Sequence, residues 1–218
     1  MNDTTMPDLV QEFLEYDVEQ GSEEWWTVKK GVPSCSNFDR IITPARAEPS
    51  KQWEDYAAEL CGDLLSDIPP EGVENFTNRA TRWGEQCEAE ARAWYGVQTG
   101  LEVRQVGWIT TLDGRFGGSP DGLVGHTGGL ELKCPQAKTH VTYCCHPEKL
   151  FLAYKCQVHG YLFVSKRQWW DLVSYCPGRL PAVKIRVEPD DFTAKLGAAL
   201  EDFYPKFAAM LAELQKMP

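Results

Sequence analysis

Hydrophobic residues recur at three- and four-residue spacing in four stretches of the chain, which is the period of an amphipathic helix. The predicted helices cover residues 52–65, 78–95, 148–162 and 191–215. A weaker stripe predicts a helix over residues 7–16, inside an acidic N-terminal arm of residues 1–24 that packs against the rest. A short helix is also expected over residues 37–42, because Ser34 and Ser36 stand where a helix N-cap is common.

Strands are predicted where apolar and polar residues alternate, or where short apolar runs end at turn residues. These strands cover residues 101–106, 108–111, 122–124, 129–134, 168–175 and 182–187. Helices therefore come first, strands fill the middle, and two further helices cross over and close the chain. This order predicts an α+β fold with a mixed central sheet of about five strands flanked by helices.

The stretch from Gly117 to Pro135 predicts a β-hairpin, because a Gly-rich segment separates its two short strands. In the second strand the period of two puts Glu131 and Lys133 on one face and Leu132 on the other. Asp121 stands directly before the first strand. Two carboxylates that converge beside an amine suit a hard cation such as Mg²⁺ and a reaction at phosphate. On local sequence alone, an ordinary exposed Glu/Lys pair worth under about 1 kcal/mol is the alternative.

The composition is that of a globular protein with one sizeable core, since 43% of the 218 residues are hydrophobic. We expect residues 1–218 to form a single domain. No apolar run approaches the ~20 residues of a membrane span, and the N-terminus lacks the basic and apolar parts of a signal peptide, so a cytoplasmic location is expected. The net charge of −10 argues against a protein that coats nucleic acid by bulk attraction, but not against one that grips DNA in a channel.

Eight cysteines are scattered through the predicted helices and strands. Their spacing is not that of a disulfide framework, so reduced thiols are expected. A zinc site is the alternative, and the lack of a paired C-x-x-C disfavours it; its candidate ligands are Cys144, Cys145, His146, Cys156 and His159.

Two words of the hairpin, S-P-D-G-L and G-L-E-L-K-C-P, together resemble the PD-(D/E)xK nuclease signature. Their flanking residues, and W-G-E-Q-C-E in the second predicted helix, resemble the lambda exonuclease family of viral recombination nucleases, also called the YqaJ type. The resemblance covers about residues 25–207. It implies a restriction-endonuclease-like core and a Mg²⁺-dependent 5′-to-3′ exonuclease. Such an enzyme degrades the 5′-ended strand of double-stranded DNA and leaves 3′ single-stranded overhangs for recombination by strand annealing.

The resemblance also implies a two-metal-ion phosphodiesterase with named residues. Asp121, Glu131, the Leu132 carbonyl and Glu88 would hold two Mg²⁺ ions per active site, with Mn²⁺ as an alternative cofactor. Lys133 would position or activate the attacking water. For Glu88 the competing interpretation is an ordinary helical ion pair with the residue four positions later, worth roughly 0.3 to 0.5 kcal/mol.

The family's segment that holds a DNA 5′-phosphate resembles W-x-x-x-K-K-G-V-P-S-C-S in this chain, where Lys replaces the usual Arg. A second weak word, Y-K-C-Q, resembles a helix whose Gln contacts the site. The residues implied in phosphate or DNA binding are Lys29, Ser34, Ser36, Ser119, Gln157, Tyr154 and Arg46. A capped helix with solvated lysines is the alternative for the first segment, and a satisfied core Tyr and Gln for the second.

Further implied properties are a homotrimeric ring around DNA, a single-strand annealing protein as partner, and a phage or prophage origin in a bacterial cytoplasm. Two other functions stay open from the residues. A PD-(D/E)xK endonuclease would share the metal site but would cut closed circles. A non-catalytic DNA-binding or assembly protein on the same fold would not need the acid, acid and lysine set.

Overall fold

A computed structural model describes residues 11–66 and 79–217 of the chain. Within these ranges a 3₁₀ helix spans Cys35–Arg40. The α-helices are α1 Glu23–Lys29, α2 Trp53–Leu65, α3 Arg79–Thr99, α4 Ala137–Cys145, α5 Pro147–Ser165 and α6 Asp191–Leu214. The strands are β1 Phe13–Tyr16, β2 Val103–Arg104, β3 Trp108–Thr111, β4 Gly117–Gly118, β5 Gly122–Val124, β6 Gly128–Lys133, β7 Trp169–Ser174 and β8 Val183–Val187.

The central sheet has five strands in the order β2-β5-β6-β7-β8. Strands β6 and β7 are parallel, and the other neighbours are antiparallel. A parallel pair needs a long crossover connection, which α4 and α5 provide here. A second sheet has three strands in the order β1-β3-β4. Its last strand, β4, comes directly before the hairpin of β5 and β6 along the chain. The predicted α+β fold with a mixed five-stranded sheet is confirmed.

The two faces of β6 and β7 face different hydrophobic clusters. Leu130, Leu132 and Val173 pack with residues of α3 on one side. Trp170 and Leu172 belong to the larger cluster, which includes residues of α2, α5 and α6. The alternation therefore leaves Glu131 and Lys133 on the α5 side, as the period of two predicts.

Two consecutive glycines at the start of β6 make room for two tryptophans of β7. A Cβ atom on Gly128 would overlap the ring of Trp169, and one on Gly129 would overlap the ring of Trp170. Trp170 is fully buried and stacks on Tyr161 of α5, with ring centres 4.7 Å apart. Gly129 therefore lets the Trp170 ring lie close to β6 and contact Tyr161 of α5.

The predicted helices agree with α2, α3, α5 and α6 to within a few residues, except at the C-terminal end of α3. The predicted helix over residues 7–16 is wrong where the chain is described, because Phe13–Tyr16 is a strand that pairs with β3. Residues 7–10 lie outside the described residues. Of the predicted strand over residues 101–106, only Val103–Arg104 pairs in the sheet. Helices α1 and α4 were not predicted.

Candidate active site

Asp121 is fixed at the junction between the loop from 119 to 121 and strand β5. Its Oδ2 accepts a hydrogen bond of 2.5 Å from the backbone N–H of Leu132. Arg92 of α3 donates its Nε–H to the Asp121 carbonyl oxygen at 3.2 Å. Continuing the register of β5 and β6 puts Pro120 opposite Leu132, and a proline has no N–H to offer the Leu132 carbonyl. The carboxylate therefore lies directly beside β6.

Glu131 is buried on the α5 side of β6, with 3% of its surface exposed. Its Oε1 forms an ion pair of 2.7 Å with the Lys133 ammonium and accepts a hydrogen bond of 2.7 Å from the Gln157 amide N–H. Its Oε2 is buried and has no hydrogen-bond partner. A buried carboxylate oxygen without a partner costs free energy, which indicates that a cation or donor belongs there.

The charges of the hairpin act strongly on one another. Burial raises the pKa of Glu131 to about 8, against the lowering effect of Lys133, and the Asp121 charge adds to the increase. Burial also raises the pKa of Asp121. For Lys133 burial lowers the pKa, but the carboxylates of Glu131 and Asp121 outweigh this and raise it. Lys133 therefore stays protonated as an ammonium. The positive charge near Asp121 and Glu131 is too small to favour ionisation of both carboxyl groups at once.

These residues fit a divalent cation. Asp121 and Glu131 are neighbouring carboxylates in a partly dehydrated site, and the unpartnered Oε2 supplies a free acceptor. Within residues 11–66 and 79–217, no group of three or more His, Cys, Asp or Glu side chains is already arranged to hold a metal. Mg²⁺ is usually held by only one or two carboxylates and keeps several waters, so two carboxylates meet its minimum requirement.

Helix α5 presents three polar side chains to the hairpin at spacings of three and four residues. The Tyr154 ring lies under the Lys133 ammonium, 4.4 Å from its centre. Gln157 bonds to Glu131, and its amide also lies 3.3 Å from the Tyr161 hydroxyl. The structure therefore brings the predicted residues Tyr154 and Gln157 to the carboxylates, although their roles toward DNA stay predictions.

Side chains from α5, from α3 and from the turn between β1 and α1 hold the three carbonyls of the loop before β5. The Tyr161 hydroxyl donates to the Ser119 carbonyl at 2.7 Å, Gln20 reaches the Pro120 carbonyl at 3.5 Å, and Arg92 bonds to the third carbonyl. The Trp25 indole N–H also donates to the Ser119 hydroxyl at 2.7 Å. The local sequence around Gln20, Trp25 and Arg92 does not predict these contacts. Tyr161 lies four residues after Gln157, so helical spacing alone puts it on the same side of α5 as that predicted site residue.

Lys29 lies beside this loop through its contact with Trp25. Its ammonium is 4.4 Å from the centre of the Trp25 ring. Ser34 is buried, and its backbone N–H donates to the Tyr56 hydroxyl at 2.8 Å. Ser34 is the N-cap residue of the 3₁₀ helix, as its position in the sequence predicts, whereas Ser36 lies inside that helix. The two hydroxyls lie 2.7 Å apart and bond to each other, and the Ser34 hydroxyl makes no capping hydrogen bond.

The last two predicted site residues are Glu88 and Arg46. Glu88 is half-buried on α3, one helical turn before Arg92, and its charge acts on Cys134 together with that of Asp121. Arg46 is exposed in the loop after the 3₁₀ helix. A metal ligand at Glu88 and a DNA contact at Arg46 stay predictions.

The chain is similar to known proteins in both sequence and structure. The model of the YqaJ-like viral recombinase domain matches residues 24–168. The crystal structure of an alkaline exonuclease, LHK-Exo, from Laribacter hongkongensis matches with 31% identity and a TM-score of 0.76, over 89% of this chain and 97% of that one. Its complex with dAMP matches with a TM-score of 0.77. A phage-related exonuclease from Haemophilus somnus 129PT, 14% identical over 84% of this chain and 96% of that one, shows the shared fold with a TM-score of 0.67. No curated protein sequence matches.

Proposed function

This chain belongs to the YqaJ-like viral recombinase domain family, and we propose that it is a Mg²⁺-dependent DNA exonuclease. It degrades the 5′-ended strand of a duplex in the 5′-to-3′ direction and leaves 3′ single-stranded overhangs for strand annealing. The observation that carries the proposal is the buried Glu131, whose free Oε2 lies in one site with Asp121 and Lys133. The protein's 31% sequence identity to an alkaline exonuclease, over nearly the whole of that chain, supports the same reaction.

Asp121, Glu131, the Leu132 carbonyl and Glu88 are the proposed ligands of two Mg²⁺ ions, for which Mn²⁺ can substitute. When bound, the ions supply Lewis acidity and positive charge at the scissile phosphate. Lys133 orients the attacking water and carries the positive charge that faces the phosphate. Glu131 holds the ammonium at 2.7 Å, and the Tyr154 ring supports it from the other side. Lys133 is therefore preorganised before DNA arrives.

A terminal 5′-phosphate is proposed to bind beside the loop before β5. Lys29 offers the positive charge, and Ser34, Ser36, Ser119 and Gln157 are the other residues proposed to contact the phosphate. The related LHK-Exo forms a complex with dAMP, a 5′-mononucleotide of the kind that such an exonuclease releases. Arg46, exposed in its loop, is the proposed contact to the duplex beyond the end.

The remaining features of the proposal concern the assembly. We propose one nuclease domain over residues 1–218, a homotrimeric ring that encloses DNA, and a single-strand annealing protein as partner. The proposed setting is the cytoplasm of a bacterial host that carries the gene on a phage or prophage. Within the described residues, no helix has the length and apolar character of a membrane span.

Linear and covalently closed circular duplexes of equal length distinguish the candidate functions. With Mg²⁺ the protein is expected to release mononucleotides from the linear duplex and to leave the closed circle intact. Nicking of the circle would favour the endonuclease. Binding of linear DNA without any hydrolysis, in Mg²⁺ and in Mn²⁺, would favour the non-catalytic protein.

A further inference from the structure

Lys29 lines a cavity of about 380 Å³ that α1, the 3₁₀ helix and α2 enclose. Its ammonium lies over two aromatic rings, 4.4 Å from the centre of Trp25 and 4.9 Å from that of Trp26. Glu59 and Asp63 of α2 line the same cavity. They are four residues apart, which puts them on one face of the helix. The proposed phosphate pocket therefore contains two carboxylates.

The two carboxylates have different partners. Glu59 is exposed and forms an ion pair of 2.6 Å with Arg40. Asp63 is half-buried, and the cations whose charges act on it are Lys29 and Lys30. Arg40 thus offsets the charge of Glu59, whereas the charge of Asp63 is directed at the end of α1.

The charges of Lys29 and Asp63 each affect the pKa of the other group. Burial lowers the pKa of Lys29, and the charges of Asp63 and, to a smaller extent, Glu59 oppose this decrease. Burial also raises the pKa of Asp63, and Glu59 adds to the increase, while Lys29 and Lys30 oppose it. Asp63 therefore helps to keep the half-buried Lys29 ammonium charged while the pocket holds no phosphate.

A terminal phosphate carries a charge of about −1.5 to −2 at neutral pH and would meet the negative charge of Asp63 in this cavity. We propose that Asp63 is a built-in counter-ion of Lys29 that competes with the terminal phosphate and so limits the selectivity for 5′-phosphate ends. This inference rests on the proposed function, which puts the phosphate at Lys29. An exonuclease releases one 5′-mononucleotide in each cycle, and a competing carboxylate speeds that release because it replaces the departing phosphate.

The test is equilibrium binding of duplex ends that carry either a 5′-phosphate or a 5′-hydroxyl, with Ca²⁺ in place of Mg²⁺ to prevent hydrolysis. Asp63→Asn is expected to raise the ratio of the two affinities about fivefold, which corresponds to roughly 1 kcal/mol. Asp63→Ser removes the same charge and should give a similar increase. Asp63→Glu keeps the charge and should stay near wild type. Glu54→Gln, an equal charge change at an exposed position of α2 that does not line the cavity, is the matched control.

A second measurement follows the product. Inhibition by dAMP should strengthen about fivefold in Asp63→Asn and remain unchanged in Glu54→Gln. Unchanged or lower affinity ratios in both Asp63→Asn and Asp63→Ser would overturn the inference, whether or not the protein hydrolyses DNA. A wild-type preference for 5′-phosphate ends that survives Lys29→Met would instead overturn the proposed phosphate pocket. Loss of that preference in Lys29→Met, with an increase in Asp63→Asn, supports both.

Discussion

Glu131 is the residue in which the energetic cost of the site is most visible. It is buried beside a second carboxylate, its pKa is raised to about 8, and one of its oxygens has no hydrogen-bond partner. Such an arrangement destabilises the metal-free protein and becomes favourable when a divalent cation neutralises both acids.

Cation binding is therefore expected to stabilise the fold measurably. Addition of Mg²⁺ to EDTA-treated protein should raise the melting temperature in a concentration-dependent manner, because the ion binds the folded state preferentially. Glu131→Gln should show little or no such increase, although its own metal-free stability should equal or exceed that of wild type. An equal Mg²⁺ shift in the variant, measured by thermal unfolding, would contradict the assignment of Glu131 as a ligand.

Lys133 is held by Glu131 and the Tyr154 ring, so its charge is placed before substrate binds. Lys133→Met should lower the rate of strand hydrolysis by about 10²- to 10⁴-fold, the usual contribution of a group that positions or activates a water. Lys138→Met, a substitution of an exposed lysine in α4, should leave the rate unchanged. Single-turnover kinetics with saturating enzyme measure the effect, and a loss under tenfold would show that Lys133 has no such role.

The sequence could predict this group of residues because strand periodicity is local. Glu131 and Lys133 are two residues apart, and a short hairpin returns Asp121 to the same end of β6. The supports from Trp25 and Tyr161 could not be predicted in the same way. Their hydrogen bonds to Ser119 join residues 94 and 42 positions apart, and such contacts depend on how whole elements pack.

At the scale of elements, α5 is the helix that organises the site. One side presents Tyr154 and Gln157 to the hairpin, and the Tyr161 ring stacks on Trp170 of β7. Elsewhere on the same helix, His159 is fully buried against the start of α6, where it bonds to Thr193 at 2.8 Å. His159 therefore joins two helices rather than reaching the carboxylates.

This contact should make stability depend on pH. Burial lowers the pKa of His159, while Asp190 opposes the decrease and Lys155 adds to it. The folded state thus keeps the imidazole neutral at a pH where the unfolded chain, with a pKa near ~6.5, already binds a proton. Because the unfolded state then holds more protons, the free energy of unfolding should decrease as pH falls below about 6.5, by up to about 1 kcal/mol per pH unit.

Urea denaturation at pH 7.5 and pH 5 measures that dependence. His159→Gln should lose less stability than wild type between these two conditions, because it removes the titrating group. His126→Gln changes an exposed histidine in the hairpin turn and should behave like wild type. Equal losses in wild type and His159→Gln would show that His159 does not contribute.

Element boundaries were predictable where amphipathic periodicity was long, as in α2, α5 and α6. The N-terminal strand was not, because Phe13, Leu14 and Tyr16 are compatible with a helical stripe and with a strand. Its pairing with β3 decides the outcome, and β3 begins more than ninety residues later. Short segments such as α1 and α4 likewise take their structure from packing rather than from local pattern.

At the scale of the whole molecule, a net charge of −10 opposes the binding of DNA, which is itself negatively charged. The structure concentrates part of that charge in the carboxylates of the hairpin and in the cavity around Lys29. Bound cations would offset the first group, and Asp63 is the competing charge in the second. Affinity for DNA is then expected to depend on local cations and bound metal rather than on overall charge.

The hairpin site is proposed to remove nucleotides from the 5′ end of one strand. A linear duplex with distinguishable labels at the 5′ and 3′ ends of the same strand tests this most directly, with wild type and Asp121→Asn in Mg²⁺. We expect early release of the 5′ label as a mononucleotide, late release of the 3′ label, and no release of either label by Asp121→Asn. Early release of the 3′ label, or equal activity of Asp121→Asn, would contradict this proposal.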